Sequence, residues 1–239
     1  MSPLFLDTVF PVRCLACDRP GNVGILELCL SCICTLCPVA EGHLGDYVSR
    51  SLSANNNSGP IRGYAGWYYD EENPARLLQK RIKYDGHRTL GKHLGMLLGR
   101  RINEQAESSF DVITPIPLHR IRLIERGHNQ STDIANGLCS ETGIPVDESV
   151  IRRTSFTASQ VGRSRDARRL NLEGVFSTGA GTDVRGLHIL LIDDVVTTGA
   201  TLFSAIQTLS SAGAGGISVA ALFFVRPDIS DSSREEHYK

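Results

Sequence analysis

The chain has 239 residues, of which 41% are hydrophobic and 21% charged, and its formal net charge is -1 at pH 7. This composition is that of an ordinary globular protein and excludes a largely disordered, collagen-like or coiled-coil chain. The balanced charge offers no global attraction to nucleic acid or to a membrane, so any acidic ligand must be held by local groups.

The first seven residues place an acid inside a short apolar run and lack both a basic leader and a small-residue cleavage site, so we expect no signal peptide. No stretch of the sequence approaches the roughly 18 uninterrupted apolar residues that a spanning helix needs. The sequence therefore predicts a soluble, cytoplasmic protein without membrane insertion. It gives no indication of the oligomeric state.

Six of the seven cysteines lie between positions 14 and 37, in three Cys-x-x-Cys pairs. In a reducing compartment this pattern favours metal binding over disulfides. The first two pairs are separated by eleven residues, a spacing compatible with a tetrahedral, structural Zn²⁺ site that folds a small module. The third pair leaves the ligand set open between Cys14, Cys17, Cys29 and Cys32, or Cys14, Cys17, Cys34 and Cys37.

Composition divides the chain into four segments. We predict a zinc-ribbon-like module at residues 1–45, a polar linker at 46–60, an α/β body at 61–228 and a flexible tail at 229–239. The linker is rich in Ser and Asn and the tail in Ser and charge, which is typical of loops and frayed ends.

The body alternates strand and helix patterns. Residues 61–69 predict a strand, Pro74 opens a helix, and 90–104 predict a second helix. An apolar run at 110–114 is followed by a helix at 131–141, which we expect to begin on a Ser131 cap and to stop at Gly143. Strand, helix and strand follow at 189–192, 201–211 and 217–225. This alternation predicts parallel α/β crossovers.

The strongest chemical signal lies in residues 189–202, ILLIDDVVTTGATL. A buried parallel strand delivers its C-terminal end to the ligand crevice of an α/β sheet, so we expect Asp193 and Asp194 to emerge where a substrate binds. The start of the next helix favours a phosphate, Gly199 allows close approach, and two carboxylates can hold a diol or approach Mg²⁺. A phosphate and a diol together predict a ribose 5-phosphate ligand.

A plainer interpretation is that the acids cap the strand and the Thr/Gly stretch is a turn. Because unpaired buried carboxylates are costly, an acidic pair at the end of an apolar strand favours the ligand site.

Further motifs accompany this segment: the cysteine head, IKYDG at 82–86, PIPL at 115–118, RGHNQ at 126–130, TxxQ at 157–160, RRLNL at 168–172 and GVF at 174–176. Together they resemble the ComF family of type I phosphoribosyltransferases. The resemblance implies a type I phosphoribosyltransferase-like parallel sheet flanked by helices and preceded by a small four-cysteine zinc ribbon, and it favours Cys29 and Cys32 as ligands. Relatives usually have Phe where this chain has His128.

The resemblance also implies roles for individual residues. Asp193 and Asp194 would contact the ribose hydroxyls of phosphoribosyl diphosphate, which arrives with Mg²⁺, and Arg126 would steady the departing diphosphate. The remaining residues expected at the substrate are Pro115, Ile116, Pro117, Leu118, Asn129, Gln130, Lys83, Val195, Val196, Thr197, Thr198, Gly199, Ala200 and Thr201.

Several of these residues have simpler interpretations. Arg126 and its neighbours could form a solvated basic turn, and Lys83 could belong to an exposed helix face with Lys80 and Arg81. The basic run at 163–169 is predicted as a lid over the diphosphate, as a nucleic-acid contact, or as a solvated loop.

Two functions from different classes remain open. The first is a phosphoribosyltransferase that transfers the phosphoribosyl group to an unidentified nitrogenous acceptor. The second is a ComF-type accessory protein of natural competence that binds single-stranded DNA or a helicase partner and uses the ribose-phosphate site for binding only. The sequence supports the second function only weakly, because no stripe of basic residues interleaved with aromatics is visible, although the basic run at 163–169 and the zinc module could contact nucleic acid.

Overall fold

The computed structural model describes residues 12–24, 26–53, 61–70, 73–84, 87–105, 110–154 and 175–226. Its helices are α1 (Leu30–Ile33), α2 (His43–Ser53), α3 (Pro74–Tyr84), α4 (Arg88–Gln105), α5 (Arg120–Arg126), α6 (Gln130–Thr142) and α7 (Ala200–Ser211). Its strands are β1 (Gly63–Tyr69), β2 (Val112–Pro115), β3 (Ile151–Arg153), β4 (Phe176–Thr178), β5 (His188–Val196) and β6 (Gly216–Val225).

The centre of the fold is a four-stranded sheet with the order β1-β6-β5-β2. All of its strand pairs are parallel. The apolar runs ILLI of β5 and VAALFF of β6 are buried on both faces, as expected for strands covered by helices on each side. The predicted parallel α/β architecture is confirmed.

Alternate residues of β5 supply two hydrophobic cores. Ile189 and Leu191 face the core that contains α2 and α7, whereas Leu190 and Ile192 face the core that contains α3, α4 and α6. Because side chains alternate along a strand, β5 is buried on both faces and its C-terminal end is fixed relative to helices of both layers.

Helices α4 and α6 pack unusually closely. A Cβ atom at Gly137 would collide with the backbone carbonyl oxygen of Lys92, so only glycine fits at this crossing. The close approach fixes the start of α6, which lies beside the carboxyl end of β5.

The segment predicted as a polar linker is helical as far as Ser53, so this part of the prediction is wrong. Leu44, Val48 and Leu52 recur every four residues along α2 and are all buried in the core. This apolar stripe outweighs the polar residues between them, because burial of one helix face decides helix stability.

The predicted cap of α6 is also displaced. The helix begins at Gln130 with Asn129 as its N-cap, and the Asn129 side chain accepts a hydrogen bond from the Ser131 N–H at 3.2 Å. Gly143 ends the helix with a φ of 72°, as predicted. Asn and Ser are both good caps, so the sequence alone did not decide between them.

The cysteine head packs onto the body. Its Leu26, Leu28 and Leu36 are buried in the same core as α3 and α4. A carboxylate of the head, Glu27, forms an ion pair with Arg81 at 3.3 Å and contacts the His87 Nδ1 at 2.9 Å. The division into domains stays a prediction, but the head shares a core with the body.

Strands β3 and β4 form a separate antiparallel pair, and in the sequence they precede and follow residues 155–174.

No helix in the described part of the chain combines the length and apolarity needed to cross a bilayer.

Candidate functional site

The two acids lie near the carboxyl end of β5, which continues past them to Val196. Asp194 is buried at 9% exposure and forms an ion pair with Lys83 at 2.8 Å. Asp193 is half-buried and accepts hydrogen bonds from the Asp194 N–H at 2.8 Å and from the Ser131 hydroxyl at 3.4 Å. Successive strand residues point to opposite faces, so the two carboxyls reach different neighbours.

The environment of Asp193 favours its neutral form. Burial raises the pKa of its carboxyl and the negative charge of Asp194 raises it further, while the Asp194 N–H, Lys83 and Ser131 act in the opposite direction. Two carboxyls that share a site cannot both ionise freely. A cation or hydrogen-bond donors bound at this site would therefore stabilise the ionised form of the two carboxyls.

Directly after β5, residues 197–199 form a tight turn into α7. Gly199 is the N-cap of α7 and has a φ of 71°, and a Cβ atom there would lie 2.5 Å from the Phe203 ring. Asp193 and residues 195–202 line one small cavity. The turn therefore brings the backbone N–H groups at the start of α7 beside Asp193, an arrangement suited to an anion.

A tyrosine of α2 supports this turn. The Tyr47 hydroxyl donates to the Thr197 carbonyl at 3.4 Å, and its ring packs against Phe203 and Phe224. Sequence analysis missed Tyr47 because it assigned residues 46–60 to a linker.

The PIPL loop is placed beside the acids by strand pairing. Pro115 is in register with Ile192, and the Ile116 N–H donates to the Ile192 carbonyl at 2.8 Å. The Asn129 amide donates to the Ile116 carbonyl at 3.0 Å while its oxygen caps α6. Both ends of the Asn129 amide are used within the protein, so this side chain positions the loop. Gln130 is buried at 1% exposure.

Two cationic side chains were predicted at the substrate, Lys83 and Arg126. Lys83 is only 16% exposed in its side chain, so it does not belong to the exposed face formed by its neighbours, which was the simpler interpretation. Arg126 is half-buried with its guanidinium 5.4 Å from the centre of the Tyr84 ring.

Arg153 at the end of β3 is a further cation, and sequence analysis missed it. Its guanidinium lies 5.4 Å from the Phe176 ring centre. Burial lowers its pKa, whereas the charge of Asp193 raises it. No sequence motif marks Arg153, but it follows Ile151 at a spacing of two, so both side chains lie on the same face of β3.

His128 belongs to a buried polar cluster. Its Nδ1 is 2.9 Å from the Arg126 carbonyl oxygen and its Nε2 is 3.5 Å from Asp133, which also pairs with Arg88 at 3.0 Å. The cluster connects the backbone of Arg126 to α6 and α4.

The cysteine head gathers four thiols. The Sγ atoms of Cys14, Cys17, Cys29 and Cys32 all lie within 4.8 Å of one another. Cys17 and Cys29 are 3.8 Å apart, which matches the roughly 3.8 Å edge of a tetrahedron with Zn–S bonds of about 2.3 Å. This cluster could bind a metal ion. The competing pair is not part of it, and Cys37 instead accepts a hydrogen bond from Arg226 at 3.3 Å.

The thiols of the cluster differ in their proton affinity. Burial works to raise the pKa of Cys14, but hydrogen bonds, first of all from the Cys29 N–H, lower it to about 6. Burial, together with hydrogen bonds to the other three thiols and the charge of Cys14, raises the pKa of Cys32 to about 12. A donor set of closely spaced sulfurs, one of them already favouring thiolate, fits a metal ion that prefers sulfur.

Two predicted features, the TxxQ stretch at 157–160 and the basic run at 163–169, lie outside the described residues. Their roles stay predictions.

Comparisons with known proteins agree with this architecture. Residues 96–238 match the family model described as "Phosphoribosyl transferase domain". The chain is 31% identical over 222 residues to DNA utilization protein YhgH of Escherichia coli O157:H7, covering 87% of this chain and 95% of the relative. It is 29% identical over 225 residues to Competence protein F of Haemophilus influenzae, covering 88% and 96%.

Solved structures are more distant. An allosteric regulatory enzyme of purine biosynthesis has a TM-score of 0.41 and 19% identity, with 60% of this chain and 30% of that chain covered. A hypoxanthine phosphoribosyltransferase from Staphylococcus aureus has a TM-score of 0.38 and 15% identity, with 58% and 68% covered. The family assignment rests on the family model and on the sequence relatives. By these matches, the chain belongs to the phosphoribosyl transferase domain family and, within it, to the ComF family of competence and DNA utilization proteins.

Proposed function

We propose that this protein binds phosphoribosyl diphosphate, together with Mg²⁺, at the carboxyl end of β5. The observation that carries the proposal is the adjacency of the Asp193 carboxyl to the Gly199 turn at the start of α7, with Asp194 as the next residue of β5. The carboxylates suit the ribose hydroxyls, and the turn offers N–H groups and threonine hydroxyls to the 5-phosphate.

The diphosphate end of the ligand would lie along the PIPL loop, which strand pairing holds beside Ile192. Lys83, Arg126 and Arg153 supply positive charge around it, and arginine can bind phosphate oxygens in pairs. Mg²⁺ prefers oxygen ligands, so the acidic pair and the phosphates of the ligand would share it. Bound there, the ion would neutralise negative charge that develops on the departing diphosphate.

Transfer of the phosphoribosyl group to a nitrogenous acceptor is the reaction that this ligand permits. The chain's contribution would be positioning and electrostatic stabilisation, because Asp193, Asp194 and the surrounding cations all bind and orient. We further propose that the four-thiol cluster holds Zn²⁺ as a structural ion and that the protein acts in the cytoplasm, where free thiols persist.

Equilibrium binding tests the proposal. Isothermal titration with phosphoribosyl diphosphate and Mg²⁺ should show that Asp193→Asn and Asp194→Asn each weaken affinity by about 10- to 100-fold, as expected when a hydrogen bond to a charged group is lost. Asp183→Asn is the matched control, because Asp183 is 61% exposed and pairs only with Arg185 in the described structure. Unchanged affinity in both site variants would reject the site.

Catalysis needs a separate measurement. Wild-type protein incubated with labelled phosphoribosyl diphosphate and a panel of nucleobases should release diphosphate if the protein is a transferase. Tight binding without release for any acceptor would leave a binding protein.

A second candidate function is supported by the names of the relatives, competence proteins and DNA utilization proteins. In this proposal the protein is an accessory factor in DNA uptake that binds single-stranded DNA or a helicase partner. If the basic run carries the contact, replacing Arg163, Arg165, Arg168 and Arg169 with Gln should abolish a salt-dependent affinity for single-stranded DNA. Full retention of affinity would exclude that run as the binding surface.

A further inference from the structure

A cleft of about 620 Å³ separates the cysteine head from α3. The head contributes Ala16, Cys32 and Thr35 to one wall, and α3 provides the other. The contacts of Glu27 with Arg81 and His87 hold the two walls together. The cleft is therefore a gap between two docked parts of one core, with a volume in the range of ligand sites.

The α3 wall is basic. Arg76 and Lys80 are exposed and lie one helical turn apart, and Lys83 follows on the same wall. None of the residues described in the lining is acidic. In the described ranges Lys83 is paired with Asp194, whereas Arg76 and Lys80 have no ion-pair partner. Two cations without an acidic partner give this cleft a positive potential, which favours an anionic ligand.

Tyrosine rings lie at the same opening. Tyr84 is 66% exposed and Tyr69 is half-buried against Phe223. Both line the cleft together with the cations of α3. The fold thus assembles the mixture of basic and aromatic side chains that is not visible as a stripe in the sequence.

We infer that this cleft binds single-stranded nucleic acid, with phosphates on Arg76 and Lys80 and bases on Tyr69 and Tyr84. Grooves that bind single strands combine positive charge along the backbone with aromatic rings on which bases stack. A free, uncharged base would leave both cations unused. A duplex would keep its base faces stacked away from the tyrosines.

This inference rests on the second candidate function, the binding of single-stranded DNA, and assigns the contact to a surface other than residues 163–169. The cleft also shares Lys83 with the acidic pair, so a bound strand would pass beside the proposed ribose-phosphate site.

Fluorescence anisotropy of the full-length protein with a labelled oligothymidylate tests the inference. Two phosphate contacts on a single strand change the slope of log affinity against log salt by about 1.4. Over the decade of salt from 1 M to 0.1 M this slope corresponds to a factor of about 25, so Arg76→Gln combined with Lys80→Gln should weaken binding about 25-fold at 0.1 M salt. Tyr84→Ala should weaken binding about 5-fold or more by removing a stacking platform.

The matched control replaces Arg50 and Lys92 with Gln, since both are exposed on other helices and the change in net charge is the same. Wild-type affinity in the Arg76/Lys80 variant, equal weakening in the control, or wild-type protein that binds no single strand would each overturn the inference. Equal affinity for duplex DNA, or displacement of the oligonucleotide by free bases, would also overturn it.

Titration of the same variants with phosphoribosyl diphosphate separates this inference from the ribose-phosphate proposal. We expect the Arg76/Lys80 variant to keep its affinity for that ligand, and Asp193→Asn to keep its affinity for the strand. If the protein binds the strand through the cleft and fails to bind phosphoribosyl diphosphate, the ribose-phosphate proposal alone fails.

Discussion

The ion pair between Lys83 and Asp194 should be a major determinant of stability near the site. The atoms are 2.8 Å apart, and the side chains are 16% and 13% exposed. With an effective dielectric constant of about 20, their attraction is about 6 kcal/mol before desolvation is subtracted. Removal of one partner from a buried pair costs about 3–5 kcal/mol, and the residual exposure reduces this, so we expect Lys83→Met to lower the free energy of unfolding by about 2–4 kcal/mol.

The loss should depend on pH. The charge of Lys83 lowers the pKa of Asp193, which burial and the charge of Asp194 raise, so removal of the ammonium group raises the folded-state pKa of Asp193 further above its unfolded value. At pH values between the unfolded-state pKa and the folded-state pKa, the folded state binds more protons than the unfolded state. Stability therefore falls as pH rises through this range. We therefore expect a larger loss at about pH 8 than at about pH 5.

Urea unfolding followed by the fluorescence of Trp67, the single tryptophan, measures both effects. In thermal unfolding, the loss corresponds to a decrease in Tm of about 5–15 °C. Lys92→Met, at an exposed position, is the control and should be nearly neutral. The double variant Lys83→Met/Asp194→Asn should recover part of the stability, since no charged carboxylate is then left opposite the lost cation. A Lys83→Met protein as stable as wild type at both pH values would refute the reasoning.

Cys32→Ser should release the metal and lower the thermal stability of the purified protein, whereas Cys37→Ser should retain the metal; equal metal content by atomic emission in the two variants would contradict the ligand set. Arg153→Gln should weaken phosphoribosyl diphosphate binding about 10-fold or more without changing the unfolding midpoint, and calorimetry that finds wild-type affinity would exclude the contact. The pKa of Asp193 is raised in the folded state, so its ionisation destabilises the protein as pH rises above the usual pKa of an aspartate. Asp193→Asn should flatten this part of the profile of unfolding free energy against pH, and parallel profiles for the two proteins would contradict the prediction.

The parts of the fold that could be predicted are those in which local pattern and tertiary packing agree. The apolar runs predicted as strands at 189–192 and 217–225 lie within β5 and β6, although β5 extends past the predicted end, through both acids, to Val196. Gly143 ends α6 as the sequence indicates, because an αL position after a helix favours glycine. Helix α2 was missed, since its apolar stripe is interrupted by serine and glycine and its stability comes from the core that it covers.

For the site, the sequence located the acids, the Thr/Gly turn and the PIPL loop, because these residues are contiguous and their chemistry is specific. It could not locate Tyr47 or Arg153, whose partners lie far away in the chain. It also left the cysteine set open, since spacing permits both sets and only the folded head selects one.

The pairing of β1 with β6 also has a consequence for how the chain is made. Gly63 is in register with Val219, so the first strand of the sheet meets its partner strand 156 residues later. At about 5–20 residues per second of synthesis, β1 waits about 8–30 seconds on the ribosome for that partner. During this interval its buried tyrosines and alanine face solvent, and such non-local pairing is slow to form. Newly made protein should therefore be most vulnerable to aggregation just before β6 emerges, and truncation before Gly216 should leave β1 without its partner in the sheet.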